Sequence, residues 1–264
     1  MFLALGLFIA TYVLLLVFPR WRAYIALASA VCFVVLGIVP IHLVLGAVNW
    51  NVLMMIAGTM GTVYLFIESR MPAKMADYII ARTPSMKWAI VALALFAGLI
   101  SAFVDNVATV LMVAPIALTI AKKLKISPVP SIIAIAISSN LQGAATLVGD
   151  TTSILLGGHA GLDFLDFFFF RGKIGMFWIV QASAIVSGLV LLWLFRKESQ
   201  PIRMQDTTEV EDYFPSWLLL GTVVLLILAS FLPEKPEITN GLICMTLMVI
   251  GILREIIRSK NTQV

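Results

Sequence analysis

Read for hydrophobic and polar positions, the chain is a series of long apolar stretches separated by short polar ones. Stretches long enough for a membrane helix, about 20 residues, fall near 1–18, 23–41, 48–68, 87–122, 128–158, 174–195, 216–232 and 238–253. Two of these are too long for one plain span. Residues 87–122 make two arms that meet at Asp105 and Asn106, while 128–158 is interrupted by Asn140, Gln142, Gly143, Gly149 and Asp150. The pattern predicts an all-α polytopic membrane protein with transmembrane helices, one re-entrant helical hairpin and one broken helix. Residues 1–85 read as scaffold-like helices and 86–196 as the hairpin, broken helix and following span. Residues 197–213 read as a polar linker and 214–264 as two further helices.

Composition agrees with this class. At 61% hydrophobic and 12% charged residues, the chain is more apolar than a soluble domain. Its pI of 9.2 does not point to nucleic acid, because the basic residues are scattered over short loops and form no continuous stripe. The charge reads as orientation instead, since cytoplasmic loops carry the excess of Lys and Arg. With the N-terminus outside and 87–122 leaving and returning on one side, fifteen basic residues fall on the cytoplasmic face, and only Arg171, Lys173 and Lys235 on the other. This predicts an integral protein of the plasma (inner) membrane in a single orientation, with lipid as its surroundings and with the linker 197–213 and the C-terminus in the cytoplasm. Such counting does not separate a re-entrant hairpin from two full spans that place Asp105 near the far surface. Met1 opens directly on an apolar run with no basic segment before it, so the first span is expected to stay rather than be cleaved.

The chemistry concentrates at the two interruptions. The first offers Ser101, Asp105, Asn106 and Thr109; the second offers Ser138, Ser139, Asn140, Gln142, Thr146, Asp150, Thr151, Thr152 and Ser153. A carboxylate at membrane depth costs several kcal/mol unless it meets a cation, a proton or donors, so it marks an ion or substrate path by default. Apart from Lys87 and Lys122 at the two ends of 87–122, none of the 18 Lys and Arg residues falls inside a predicted span, which leaves Asp105 and Asp150 without a fixed positive partner at depth. Such an acid either takes up a proton or is kept ionised by a hard cation such as Na⁺. Both outcomes describe an ion-coupled site, and two carboxylates disfavour a bare anion. The competing explanations are bland ones: Asp and Asn capping a helical turn, and serines bonding the preceding turn or easing helix packing. They account for the serines but not for Asp150.

Other residues carry less. His159 and His42 read as solvated at span ends, and Cys32 and Cys244 as small hydrophobes within apolar spans. Trp50, Trp88, Trp178 and Trp217 read as interfacial anchors, and the phenylalanines at 167–170 as a segment resting on the outer surface. Two carboxylates sharing a proton also serve intramembrane aspartyl proteases. Here Leu147-Val148-Gly149-Asp150 lacks the first glycine of the Gly-x-Gly-Asp pattern, so an enzyme is not expected.

The runs NWNVLMMIAGTM (49–60), FVDNVATVLMVAPIAL (103–118), SSNLQGAATLVGDTTSILLG (138–157) and GLDFLDFF (161–168) resemble the ion transporter superfamily. That superfamily includes arsenite permease-like proteins, NhaD-type Na⁺/H⁺ antiporters, the melanosomal P protein and the citrate and dicarboxylate carriers. The resemblance implies an inverted-repeat secondary transporter, or antiporter, that works by alternating access as a dimer. The chain would be one half of it, with 214–264 the first two helices of an incomplete second repeat that requires a complementary second half. It implies Asp105, Asn106 and Thr109 as the hairpin tip, and Asn140, Gly143, Thr146, Gly149 and Asp150 as the unwound helix, with Thr151 following in the motif. These are the expected ion- or substrate-binding residues, with Asp105, Asn106 and Asp150 as Na⁺ ligands. The substrate would be an ion or small oxyacid, with Na⁺ or H⁺ as coupling ion and no other cofactor. Carboxylate carriers have a Ser-Asn-Thr tip; Asp105-Asn106-Val107 is closer to the P protein and NhaD branch, and Gln142 stands where a glycine is common.

Overall fold

The computed structural model describes residues 2–124, 126–201, 208–232 and 234–262. They form two compact units, Met1–Asn49 and Trp50–Val264. In the first, α1 (Phe2–Val17) and α2 (Arg22–Val35) are joined by a tight turn at Pro19–Trp21 that bends the path by 113°. The Thr11 and Ser29 hydroxyls share a 2.7 Å hydrogen bond between them. The apolar stretch 23–41 does not stay helical throughout. Gly37 adopts φ +67°, a left-handed conformation that ends helices, and Pro40 then precedes the short helix α3 (Ile41–Ala47). No residue of α1, α2 or α3 is buried, which suits helices whose solvent is lipid.

The second unit contains α4 (Trp50–Glu68), α5 (Met71–Ala81), α6 (Met86–Ser101), α7 (Asn106–Leu124), α8 (Val129–Gly143) and α9 (Thr151–Ala160). It continues with α10 (Met176–Leu194), α11 (Phe214–Ser230) and α12 (Thr239–Thr262). Before α10, a two-residue ribbon pairs β1 (Phe169–Phe170) with β2 (Lys173–Ile174), antiparallel, with Phe169 opposite Ile174. Helices α4, α10 and Thr239–Arg258 of α12 are long and apolar enough to cross a bilayer, whereas α6, Asn106–Lys122 of α7, α8 and α11 are apolar but shorter. At 16 and 15 residues, α6 and α8 span only about 24 Å and 22 Å against a hydrocarbon core of about 30 Å. That is the geometry of a hairpin and a broken helix inside an integral membrane protein.

Both interruptions lie where the polar residues predicted them, between α6 and α7 and between α8 and α9. Helix α6 is central. Its Leu93, Ala94 and Ala97 are fully buried with Val113 and Ala117 of α7 and Ile135 of α8. Helices α4 and α12 meet backbone to backbone, since a Cβ on Gly58 would lie 2.4 Å from the Cys244 carbonyl carbon and one on Gly61 would strike Met248. Small residues permit such close approach, and Cys244 is fully buried at this contact, as a small hydrophobe would be.

Two elements depart from the expected layout. The stretch after α4, where no membrane span was expected, contains α5, whose Pro72, Ala76 and Ile80 recur every four residues and are buried. Helix α12 runs beyond residue 253 because its polar end is held from the side: Arg254 and Arg258 pair with Asp212, and Glu255 lies 3.9 Å from Arg258. The polar linker is docked at both ends. Met86 and Lys87, whose N–H groups lack helical partners in the first turn of α6, donate to the carbonyls of Gln200 and Glu198 at 2.9 and 2.8 Å. Residues 202–207 of that linker lie outside the described residues. Beyond them, the Thr208 N–H and hydroxyl both donate to Asp77 of α5, and Glu211 pairs with Arg70 at 2.9 Å. At the other end of α12, Lys235 donates to Asp163 at 2.5 Å and to the Ala229 carbonyl at 3.2 Å.

Candidate functional site

Four helix ends converge where the two breaks cross. The C-termini of α6 and α8 supply carbonyl oxygens without helical partners, and the N-termini of α7 and α9 supply the positive ends of their dipoles. Gly149 is the point of closest approach. A Cβ there would sit 2.5 Å from the Gly143 oxygen and 2.7 Å from those of Ala102 and Ser101, so no side chain fits without moving backbone. The Thr146 hydroxyl, fully buried, donates to the Ala102 carbonyl. The Ser139 hydroxyl donates to the Asn106 carbonyl at 3.1 Å, and the Asn106 amide to Asn140 Oδ1 at 2.8 Å. Gln181 of α10 donates to Gln142 Oε1 at 3.1 Å. The first break is therefore strapped to the second by side chains reaching main chain.

The two acids occupy matching positions, each just before a helix, where the dipole favours negative charge. Asp105 accepts the Ala108 N–H through Oδ2 at 3.1 Å, an N-cap bond. Its main-chain carbonyl accepts both the N–H and the hydroxyl of Thr109. Asp150 has extended backbone and no cap bond from its side chain. Its Oδ1 and Oδ2 instead accept the hydroxyls of Thr151 and Thr152 at 3.2 and 3.0 Å.

Asp105, Asp150 and Thr151 line one small, partly open pocket, with room for about one water-sized particle. Gly149 and Val148 form part of its wall, and Thr59, Met60 and Val63 of α4 the rest, with Ile154. No Lys or Arg lines it. Behind it, the space over Gly143 is bounded by Asp150 Cβ at 3.5 Å, Ser101 Oγ at 3.5 Å and Asn106 Cβ at 3.7 Å from where a Cβ would stand. The Ser101 hydroxyl is fully buried and has no hydrogen-bond partner among the described residues. An orphaned buried hydroxyl costs about 1–3 kcal/mol, and here it borders the space over Gly143.

Of the residues singled out from sequence, Asp105, Gly149, Asp150 and Thr151 reach the pocket directly. Asn106, Asn140 and Gly143 lie in the adjoining junction. Thr109 and Thr146 are buried, with their hydroxyl protons committed to carbonyls of the first break. Gly143 closes α8 without left-handed backbone, so its missing side chain serves the gap rather than a turn. His42 and His159 are exposed and line no part of the pocket. Sequence reasoning missed the α4 wall; the one available signal was Thr59, a hydroxyl inside the apolar run 49–60.

Comparison with known proteins fits this architecture. Residues 12–259 match the citrate transporter family, and the chain belongs to that family. It is 30% identical over 263 residues to the 46 kDa membrane protein of Mycobacterium leprae, covering 95% of this chain and 60% of that one. It is likewise 30% identical over 240 residues to an uncharacterized transporter of Mycobacterium tuberculosis, covering 87% of this chain and 55% of that one. The human P protein is 31% identical over 126 residues, covering 46% of this chain and 15% of that protein. The chain thus spans somewhat more than half the length of the mycobacterial relatives it matches.

Proposed function

We propose that the chain is the ion-binding half of a secondary active transporter for ions or small oxyacids, coupled to Na⁺ or H⁺ and driven by alternating access. The observation that carries this reading is the pairing of Asp105 and Asp150, from separate breaks, in one pocket without a basic residue. Hydroxyl orientation supports a cation. Thr151 and Thr152 spend their protons on Asp150, and Thr109, Thr146 and Ser139 spend theirs on main-chain carbonyls. Thr151, the one of these that lines the pocket, then presents lone pairs to it, which attract Na⁺ or a proton and repel an unneutralised anion. Asp105, Asp150 and Thr151 would hold the ion, Asn106 and Asn140 would hold the two breaks in register, and Gly143 and Gly149 would leave the space. An oxyacid would enter only with its charge balanced by the bound cation.

Membership of a transporter family supports transport over catalysis. In this reading the protein sits in the plasma membrane as a homodimer or with a complementary half, its N-terminus outside and its linker and C-terminus cytoplasmic. Because the mycobacterial relatives are longer, a second reading is a subunit that binds the ion yet needs a partner to move it. Flux of radioactive sodium, or of protons down an imposed pH gradient, into proteoliposomes of the chain is the test. Flux that is lost in Asp150→Asn supports transport; Na⁺ binding without flux supports the partner-requiring subunit; flux unchanged in both Asp105→Asn and Asp150→Asn refutes the site.

A further inference from the structure

Helix α4 forms one side of the pocket, yet nothing in the hairpin or the broken helix accounts for a hydroxyl at that wall. Thr59 is 9% exposed and lines the pocket together with Asp105, Asp150 and Thr151. Its hydroxyl donates to the Met55 carbonyl at 2.7 Å and lies 3.2 Å from that of Ile56. The proton is therefore directed down the helix, and the oxygen keeps its lone pairs. The neighbours of Thr59 along that wall, Met60 and Val63, offer no oxygen from their side chains. A hard cation takes several oxygen ligands. The two breaks supply carboxylate and hydroxyl oxygen from Asp105, Asp150 and Thr151, all from one side.

We propose that Thr59 is the oxygen ligand contributed by α4, that it completes a site for a monovalent metal cation of the Na⁺ class, and that it sets the preference for Na⁺ over a proton. The inference rests on the cation reading of the Asp105–Asp150 pocket. A proton needs one carboxylate and no surrounding shell, so an added neutral oxygen opposite two acids discriminates in favour of a metal ion. Helix α4 is held against α12 through Gly58 and Gly61, so Thr59 stands on a rigid wall rather than on either break. Ion binding would thus tie the two breaks to the α4 and α12 pair.

The test is thermal stabilisation of the full chain in lipid nanodiscs by NaCl, titrated at constant ionic strength against choline chloride, with parallel CaCl₂ and pH series. Wild type and Thr59→Ser should respond to Na⁺ within about twofold of each other, since serine keeps the oxygen. Thr59→Val, which keeps the shape and loses the oxygen, should need about tenfold more Na⁺, as expected for losing one neutral group bound to a charge. Its melting temperature without Na⁺ reports any folding defect separately. A wild-type response in Thr59→Val alongside a lost response in Asp150→Asn would overturn the role of Thr59 and leave the pocket reading intact. No Na⁺ response in wild type, or a stronger response to Ca²⁺, would overturn both the ligand class and the inference built on it.

Discussion

At the first break the Asp105 carboxylate accepts the Ala108 N–H and caps α7, whereas at the second the Asp150 carboxylate caps nothing and is held only by the Thr151 and Thr152 hydroxyls. The two acids occupy equivalent places before a helix and line the same pocket. One is half committed to structure, and the other is kept for whatever enters the pocket. A residue's presence at a broken helix therefore does not fix its role; what matters is how many of its oxygens the backbone already uses.

The glycines of the second break separate structure from binding most strongly. Gly149→Ala pushes a methyl to within 2.7 Å of three main-chain oxygens, and we expect a loss of about 3 kcal/mol, in the range for overpacked sites. Gly143→Ala meets its neighbours at ordinary contact distances of 3.5 to 3.7 Å. It should fold normally while filling the gap beside Ser101 and Asp150, so its Na⁺ response should fall while its melting temperature holds. Equal melting temperatures for the two variants would contradict the close-approach account of Gly149.

The acids themselves come next. Asp150→Asn and Asp150→Ala should each weaken Na⁺ binding tenfold to a hundredfold, or about 1.5–3 kcal/mol, with little change in stability without Na⁺. Asp105→Asn should keep the cap, since Asn is as good an N-cap as Asp, and lose ion binding only. Asp105→Ala should lose both, at a further cost of about 1 kcal/mol. Thermal unfolding of the four variants without Na⁺ decides this, and a destabilised Asp150→Ala would erase the contrast between the breaks.

The smallest expected effect lies away from the pocket, at Asp212. Burial pushes this carboxyl up, but the Arg254 hydrogen bond, the Phe214 N–H and the charges of Arg254 and Arg258 together hold it below its ordinary 3.8. Its contribution is present above pH 3.8, begins to fall as the unfolded chain protonates there, and is gone once pH drops through the lower folded value. Asp212→Asn should cost about 1 kcal/mol or less at neutral pH, because both arginines are partly exposed. It should also flatten the acid limb of stability measured as pH falls below 3.8.

Much of this was legible before any coordinates. The breaks at Asp105 and at Gly143–Asp150 were readable because polar residues inside apolar runs have few physical excuses in lipid. Helix α5 was not, since an 11-residue amphipathic helix leaves no signal in a search for 20-residue spans. The end of α12 depends on Arg254 and Arg258 meeting Asp212 about 40 residues away in sequence. That is a contact no local pattern contains. Thr59 showed only as a lone hydroxyl in the apolar run 49–60, because its meaning comes from which helix faces the pocket. The division of labour between Asp105 and Asp150 is likewise a matter of individual hydrogen bonds.

If Asp105 and Asp150 act on one ion, their contributions are coupled, and a double-mutant cycle of Na⁺-dependent stabilisation measures that coupling directly. Wild type, Asp105→Asn, Asp150→Asn and the double variant would be titrated with NaCl in nanodiscs. One shared site predicts strong coupling, with the double variant binding Na⁺ little worse than the weaker single variant. Losses that simply add would mean two independent acids, and would contradict the shared pocket as the seat of function.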